Sequence, residues 1–293
     1  MFVGGCTLEA AEAVCASPAL PAEGVLDGMA SLLDHCLIQQ TAAPLDDEPR
    51  FTMLETIREY GLERFRAEDD VPTLSRRHAD YMVALADRAA TELEGDAQAD
   101  WFGRLAREEG NIRATLRWAV QSGDTASGLR LAGALSPYWE VHPLLGEWHA
   151  AVDALLARAA ESAGDVPPEL LAGAYHNAGR LSYRRGFYER SETLFEEALR
   201  HYRALGNRPA AAETLNALAT VVSYRDRRRG LALAREALDL RRDLGDRHAV
   251  AVSLNNVGAR LMDLGELERA AALCGESAAL LDDLGDTYHA GIT

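Results

Sequence analysis

Residues 174–207 read AYHNAGRLSYRRGFYERSETLFEEALRHYRALGN. Small residues fall at Ala178-Gly179, Gly186 and Ala198, where two helices joined by a tight turn must approach, and Tyr188, Leu194 and Phe195 fill the space between. The stretch predicts a helix, a turn and a second helix. Its landmarks return downstream: Asn177 as Asn216 and Asn256, and Leu205-Gly206-Asn207 as Leu244-Gly245-Asp246 and Leu284-Gly285-Asp286, at steps of 39 and 40 residues. One helical hairpin cannot bury its apolar face alone, so a fixed period of this size implies hairpins stacked as a solenoid.

The third copy keeps Gly258, Gly265, Leu267 and Ala270, whereas the second has Leu218 and Arg225 where the others have glycine, so its turn is expected to be made another way. Tyr175, Gly179, Tyr183, Ser191, Phe195 and Ala198 together resemble the tetratricopeptide repeat. The resemblance implies a right-handed α-solenoid. The period exceeds the usual ~34 residues of that family, implying longer helices, as in the repeats of bacterial regulatory ATPases.

All 30 basic residues are arginine. Without a lysine the chain holds no GxxxxGK[ST] phosphate loop, whose lysine reaches the β and γ phosphates. The net charge of −16 is uneven: residues 1–50 carry 8 acids and 1 base, residues 51–164 carry 19 and 12, and residues 165–293 carry 19 and 17. Such a front opposes contact with a phosphate backbone, so no direct nucleic-acid partner is expected. No run of 18 apolar residues and no basic-apolar leader occurs, so neither a membrane partner nor export is expected and the predicted location is the cytoplasm. Cys6, Cys15, Cys36 and Cys274 lack metal-ligand spacing and are expected as reduced, buried thiols. No GxSxG or HExxH string is present, so no catalytic residue, metal or cofactor is expected.

At the front, Thr7 is a predicted N-cap for an apolar helix over Leu8 to Cys15, and a second helix is expected from about Val25 to Cys36. Residues 37–40 and 50–53 suggest two strands around an acidic loop, followed by LETIREYGLERF as a helix opened by a Thr52/Glu55 capping box, with Leu54, Ile57, Gly61 and Phe65 facing a core. Helix, helix, hairpin, helix is the rear of a winged helix, and a complete one needs a further helix before Phe2.

FVGGCTLEAAEAVC, RFTMLETIREYGLERF and EEGNIRATLRWA resemble strings of the STAND class of signalling ATPases, particularly SARP/LuxR-type regulators of actinobacteria. In that class the winged helix packs on the nucleotide domain and helps hold it shut. Met53-Leu54-Glu55 stands where many members carry Met-His-Asp, so Leu54 lacks the donor that would reach a nucleotide phosphate and reads as core. The helix in the recognition position contains no arginine, which argues against base readout.

Further helices are expected over 74–93, 98–120, 129–141 and 147–160. Gly164-Asp165-Val166-Pro167-Pro168 marks a boundary, since paired prolines cannot continue a helix. The predicted organisation is a mostly all-α chain: a partial winged helix with a small β-hairpin over 1–70, divergent helical repeats over 71–164, and about three tetratricopeptide-like repeats over 165–293, the last cut short after Asp286-Thr287-Tyr288-His289.

Asparagine is a mediocre helix former, yet Asn177, Asn216 and Asn256 recur one per first helix. Either they bond the neighbouring helix, as buried amides do, or they line a groove and bond a ligand backbone, as the resemblance implies. His176, Arg180, Tyr183 and Arg184 would add a positive, aromatic patch to that groove, suited to an acidic peptide or protein; the other reading is a solvated helix face. Arg225-Asp226-Arg227-Arg228-Arg229 reads as solvated loop charge. The resemblance implies the sensor of a transcriptional regulator that controls an ATPase domain outside this chain. A free-standing adaptor without nucleotide involvement is the alternative.

Overall fold

The computed structural model describes residues 2–41, 49–65, 71–93, 95, 97–141, 145–162 and 164–286. Among them are fourteen helices and one three-stranded sheet. The chain divides between Asp165 and Val166 into two compact units.

In the first unit Thr7 ends strand β1 (Cys6–Thr7) and opens α1 (Leu8–Cys15), its hydroxyl accepting from the Ala10 amide at 3.2 Å and so satisfying one donor of the first turn. α2 (Ala22–Asp34) starts behind Pro21, earlier than the apolar stripe from Val25 suggested. β2 (Ile38–Thr41) and β3 (Arg50–Met53) pair antiparallel with Ile38 opposite Met53, and β3 pairs on its other edge with β1, Cys6 opposite Phe51, giving the order β1-β3-β2. Cys6, Ala10, Ala11 and Val25 form the small core here, with Phe2, Met29 and Tyr81 against it.

The expected capping box is not made. Thr52 lies in β3, committed to the ladder opposite Gln39, and its hydroxyl donates to the Gln39 carbonyl at 3.5 Å. Glu55 pairs with Arg58 instead, and α3 (Glu55–Phe65) begins where the Arg58 amide reaches the Leu54 carbonyl at 2.9 Å. Leu54 is not core: it is 53% exposed at the strand-to-helix junction, and no residue of α3 is buried. The helix stands across an apolar cleft of about 430 Å³, lined by Phe2, Met29, Leu32, Phe51, Leu62 and Phe65.

The rest of this unit is helical: α4 (Val71–Glu92), α5 (Gln98–Ser122), α6 (Thr125–Ala134), α7 (Ser136–Val141) and α8 (Leu145–Glu161). The single helix expected over 129–141 is broken at Leu135, because Pro137 has no amide to donate and its ring would crowd the preceding turn. At Gly128 a Cβ would meet Ala119 at 2.9 Å and Leu155 at 2.8 Å, so this glycine lets α6 approach α5 and α8.

A buried polar clamp ties the sheet to α5. The Arg50 guanidinium pairs with Glu108 and donates to the Gly5 carbonyl at 3.0 Å and the Arg107 carbonyl at 3.1 Å. Asn111 donates to Glu108 at 2.6 Å and to the Gly5 carbonyl at 3.0 Å, and accepts from the Val3 amide at 2.6 Å. Gly110 and Gly5 permit the approach, since a Cβ on either would fall 2.5 Å from a backbone oxygen, of Val3 and of Phe51 respectively. His78 stacks edge-on against Phe2 beside the clamp, and burial pushes its pKa down to about 4, so the imidazole is neutral. The glycines and acids of the FVGG and EEGN strings are therefore two halves of one joint.

Cys36 departs from the expectation of buried thiols: it is exposed, with a left-handed φ of 56° just past α2, while Cys6 is buried and Cys15 and Cys274 are half-buried. The acidic loop residues Asp46-Asp47-Glu48, the stop residues Glu94 and Asp96, His142-Pro143 and the start of a further repeat at Thr287-Tyr288-His289 lie outside the described residues.

The second unit is three helical hairpins: α9 (Pro168–Arg184) with α10 (Tyr188–Ala204), α11 (Arg208–Ser223) with α12 (Arg227–Leu244), and α13 (Arg247–Asp263) with α14 (Leu267–Asp283). Pro168 sits in the first turn of α9, where its missing amide costs nothing. The first and third turns close through left-handed Gly186 and Gly265, each followed by an amide that reaches back to a helix carbonyl, Phe187 to Ser182 at 2.9 Å and Glu266 to Leu261 at 3.0 Å. The second turn lacks that glycine altogether. The Asp226 amide bonds the Val222 carbonyl at 2.8 Å, and the Asp226 carboxylate caps α12 at the Arg229 amide, 2.9 Å away. Asp226→Ala is expected to cost about 1 kcal/mol, read as a lower midpoint in urea unfolding followed by circular dichroism.

The missing turn residue makes the second hairpin one residue shorter, so the close-contact positions of successive first helices stand 40 and then 39 residues apart. Gly179 approaches Phe195 and accepts from the Ser191 hydroxyl at 2.8 Å; a Cβ on Gly230 would meet the Ala219 carbonyl, and one on Gly258 would meet Cys274. The residues in phase are thus Gly179, Ala219 and Gly258, not Gly179, Leu218 and Gly258. Phe195, Leu199, Leu215 and Leu218 fill the first interface between hairpins, and Leu231, Leu238, Leu254 and Val257 the second. Ion pairs repeat with the fold: Arg208 with Asp243 and Arg247 with Asp283 within hairpins, Arg203 with Glu236 and Arg242 with Glu276 between them. Two arginines of the run are paired and two are solvated as expected: Arg229 pairs with Glu192 and Glu196 and Arg225 with Glu192 at 3.7 Å, while Arg227 and Arg228 are exposed.

Candidate partner-binding face of the helical repeats

First helices α9, α11 and α13 approach one another directly, which places them on the inner side of the stack, while α10 and α12 are bridged by the long side chains of Arg203 and Glu236. Hydrogen bonds join successive first helices at one level. The His176 ring nitrogen Nδ1 lies 2.9 Å from the Thr214 hydroxyl, and the Asn216 amide donates to the Ser253 hydroxyl at 3.0 Å. Ser253 also accepts from Arg241 at 3.0 Å, and Arg241 donates to the Ala249 carbonyl at 3.0 Å.

His176 and Asn216 therefore occupy equivalent places, buried between helices. Burial lowers the His176 pKa, opposed by the Glu213 carboxylate 3.6 Å from its Nε2. Asn177 and Asn256 lie one residue further round, half-exposed, and the residue in phase with them on α11 is Ala217. The 39-residue step from Asn177 to Asn216 that suggested one column is one short of the 40 residues from Gly179 to Ala219, so Asn216 falls one helical position out of line with Asn177, and the shorter turn comes only after it. The spacing of Gly206 to Ala219 and of Gly245 to Gly258, both 13 residues, is the sequence signal that would have given the true phase.

The outward stripe that results runs through Asn177, Arg180 and Arg184 on α9, Ala217 and Thr220 on α11 with Tyr224 just past its end, and Asn256 and Ala259 on α13, none of them buried. Tyr183 borders it at the turn end, half-buried, its hydroxyl 3.4 Å from that of Tyr224. Tyr224 in turn stacks on Tyr188 with ring centroids 4.4 Å apart and 15° between planes. The hydrogen bond with the Tyr183 hydroxyl raises the Tyr224 pKa, so the Tyr224 phenol stays protonated. The stripe offers amides, guanidiniums and phenols, groups that bond a polypeptide backbone and its carboxylates. Among the described residues no cluster of three or more His, Cys, Asp or Glu converges to hold a metal, and no helix is long and apolar enough to cross a membrane.

Residues 170–243 and 250–289 match models of the tetratricopeptide repeat, and the second unit is accordingly made of such repeats. Repeats of this kind bind protein or peptide partners and are in general non-catalytic scaffolds. No curated protein matches the chain by sequence. Among solved structures, the nearly identical TPR-like repeats of a Podosopora anserina kinesin light chain superpose with a TM-score of 0.54 at 13% identity, over 73% of this chain and 98% of that one. A Signal Transduction ATPase with Numerous Domains (STAND) protein with a tetratricopeptide repeat sensor, PH0952 from Pyrococcus horikoshii, superposes with a TM-score of 0.50 at 11% identity, over 89% of this chain and 47% of that one.

Proposed function

We propose that the chain is the sensor portion of a signal-transducing transcriptional regulator of the STAND class, in which the repeats bind a peptide or protein and so control an ATPase domain outside these residues. The observation that carries the proposal is the outward stripe Asn177, Arg180, Arg184, Tyr224 and Asn256 on the inner helices of three consecutive repeats. The two guanidiniums favour an acidic ligand segment, and His176 and Asn216 hold the helices that present it.

Support for the regulator comes from the first unit. Two helices between β1 and β2 and the strand order β1-β3-β2 suit the rear of a winged helix, and the likeness to the STAND protein extends over both units' share of the sequence. The absence of arginine from α2 favours a module that contacts protein over one that reads DNA. Likeness to kinesin light chain repeats favours the second reading, an adaptor without nucleotide control.

The stripe is tested with a displayed random-peptide library: Arg180→Ala combined with Arg184→Ala should weaken selected acidic peptides at least about tenfold, and unchanged affinity would remove the stripe as the site. The coding sequence upstream separates the readings, a phosphate-loop domain in the same frame supporting the regulator and an in-frame stop the adaptor.

A further inference from the structure

At the ends of the hairpins where first helix turns into second, large apolar side chains face solvent. Phe187 and Tyr188 do so at the first turn, Tyr224 at the second, and Met262 and Leu267 at the third, Tyr224 being 60% and Leu267 65% exposed. Such side chains scattered singly are ordinary, but three consecutive turns carrying them along one edge make a ribbon, and exposed apolar ribbons mark interaction surfaces. The first two turns are the richer part: Tyr188 and Tyr224 stack, Tyr183 braces Tyr224 through its hydroxyl, and the Arg185 guanidinium lies 5.0 Å above the Phe187 ring.

Charge says what covers it. Arg185, Arg227 and Arg228 lie at the first two turns, are exposed, and make no ion pair among the described residues, whereas the neighbouring Arg229 and Arg225 are matched to Glu192 and Glu196 on α10. We propose that this turn edge is a second docking surface, sharing only Tyr224 with the inner-helix stripe, for a protein segment that carries aromatic or aliphatic side chains between carboxylates. The rings supply a rigid apolar platform at low entropic cost, as tyrosines do at interfaces. The three guanidiniums without a carboxylate partner supply the sign of the partner. Single-stranded nucleic acid also uses rings and arginines, but Tyr188 and Tyr224 lie against each other with no gap for a base, and Glu189, Glu192 and Asp226 interrupt any basic track.

The test uses the full chain and a displayed random-peptide library, in parallel with fluorescent oligo-dT and with sedimentation over a concentration series. Selected peptides are expected to combine an aromatic or aliphatic residue with flanking Asp or Glu. Their affinity should fall at least about tenfold in Tyr188→Ser/Tyr224→Ser and again in Arg227→Glu/Arg228→Glu, with Arg180→Ala/Arg184→Ala leaving it in place. Circular dichroism of each variant checks that the repeats remain folded. The proposal is overturned if no peptide is selected, if the selected peptides ignore the edge substitutions, if oligo-dT binds in their place, or if the tyrosine substitutions abolish a self-association that accounts for the surface.

Discussion

Glu108→Ala is expected to destabilise the first unit by about 3–5 kcal/mol, the range for removing one partner of a buried ion pair. Most of that loss comes from what stays behind: Arg50 is buried, and without Glu108 its charge would face only carbonyl oxygens of Gly4, Gly5 and Arg107. Asn111 would lose an acceptor in the same step. All four tryptophans, Trp101, Trp118, Trp139 and Trp148, lie in this unit, so their fluorescence in urea reads its unfolding without interference from the repeats. Replacing both partners with apolar residues, as in Arg50→Met with Glu108→Leu, should recover much of the loss, because no charge is then buried unpaired. A single Glu108→Ala variant that unfolds at the parent's midpoint would show that the clamp contributes nothing.

In the repeats the largest effect is expected at Phe195. Its ring is fully buried, faces the Cβ-less Gly179 and meets the His176 ring edge-on at a centroid distance of 5.5 Å. Truncation to alanine removes the ring and leaves a cavity between two hairpins, at a cost of about 3–5 kcal/mol. Because each repeat contacts only its neighbours, the damage should centre on α9, α10 and α11. Hydrogen exchange is the discriminating measurement: amides of those three helices should lose protection before those of α13 and α14. Uniform loss along all six helices would mean that the repeats unfold as one block.

The period, the hairpins and the boundary before Pro168 could be read from the residues because each rests on local chemistry: small residues at close approaches, left-handed glycines at Gly206 and Gly245, paired prolines. Thr7 was legible as a cap for the same reason. What could not be read depends on partners distant in sequence. Arg50 and Glu108 gave no sign that they would meet, and Leu54 carries the same side chain whether its helix is packed or stands across a cleft. Asn216 misled in a different way. Residue identity suggested a step of 39 residues from Asn177 where the first hairpin takes 40, and in a stack of helices it is the glycine or alanine at each close contact that keeps count.

The hydrogen bonds of His176 with Thr214 and of Asn216 with Ser253 join successive first helices and use no residue of the turn whose length varies. Asn207 and Asp246 open consecutive hairpins by the same cap, to Ala210 and Ala249. Excision of residues 207–245 would therefore rejoin Gly206 to an aspartate that can replace Asn207, and set His176 against Ser253, a hydroxyl in place of a hydroxyl. The array is thus open to lengthening or shortening by whole modules, with variation in any one elbow confined to its own hairpin and not handed on to the next.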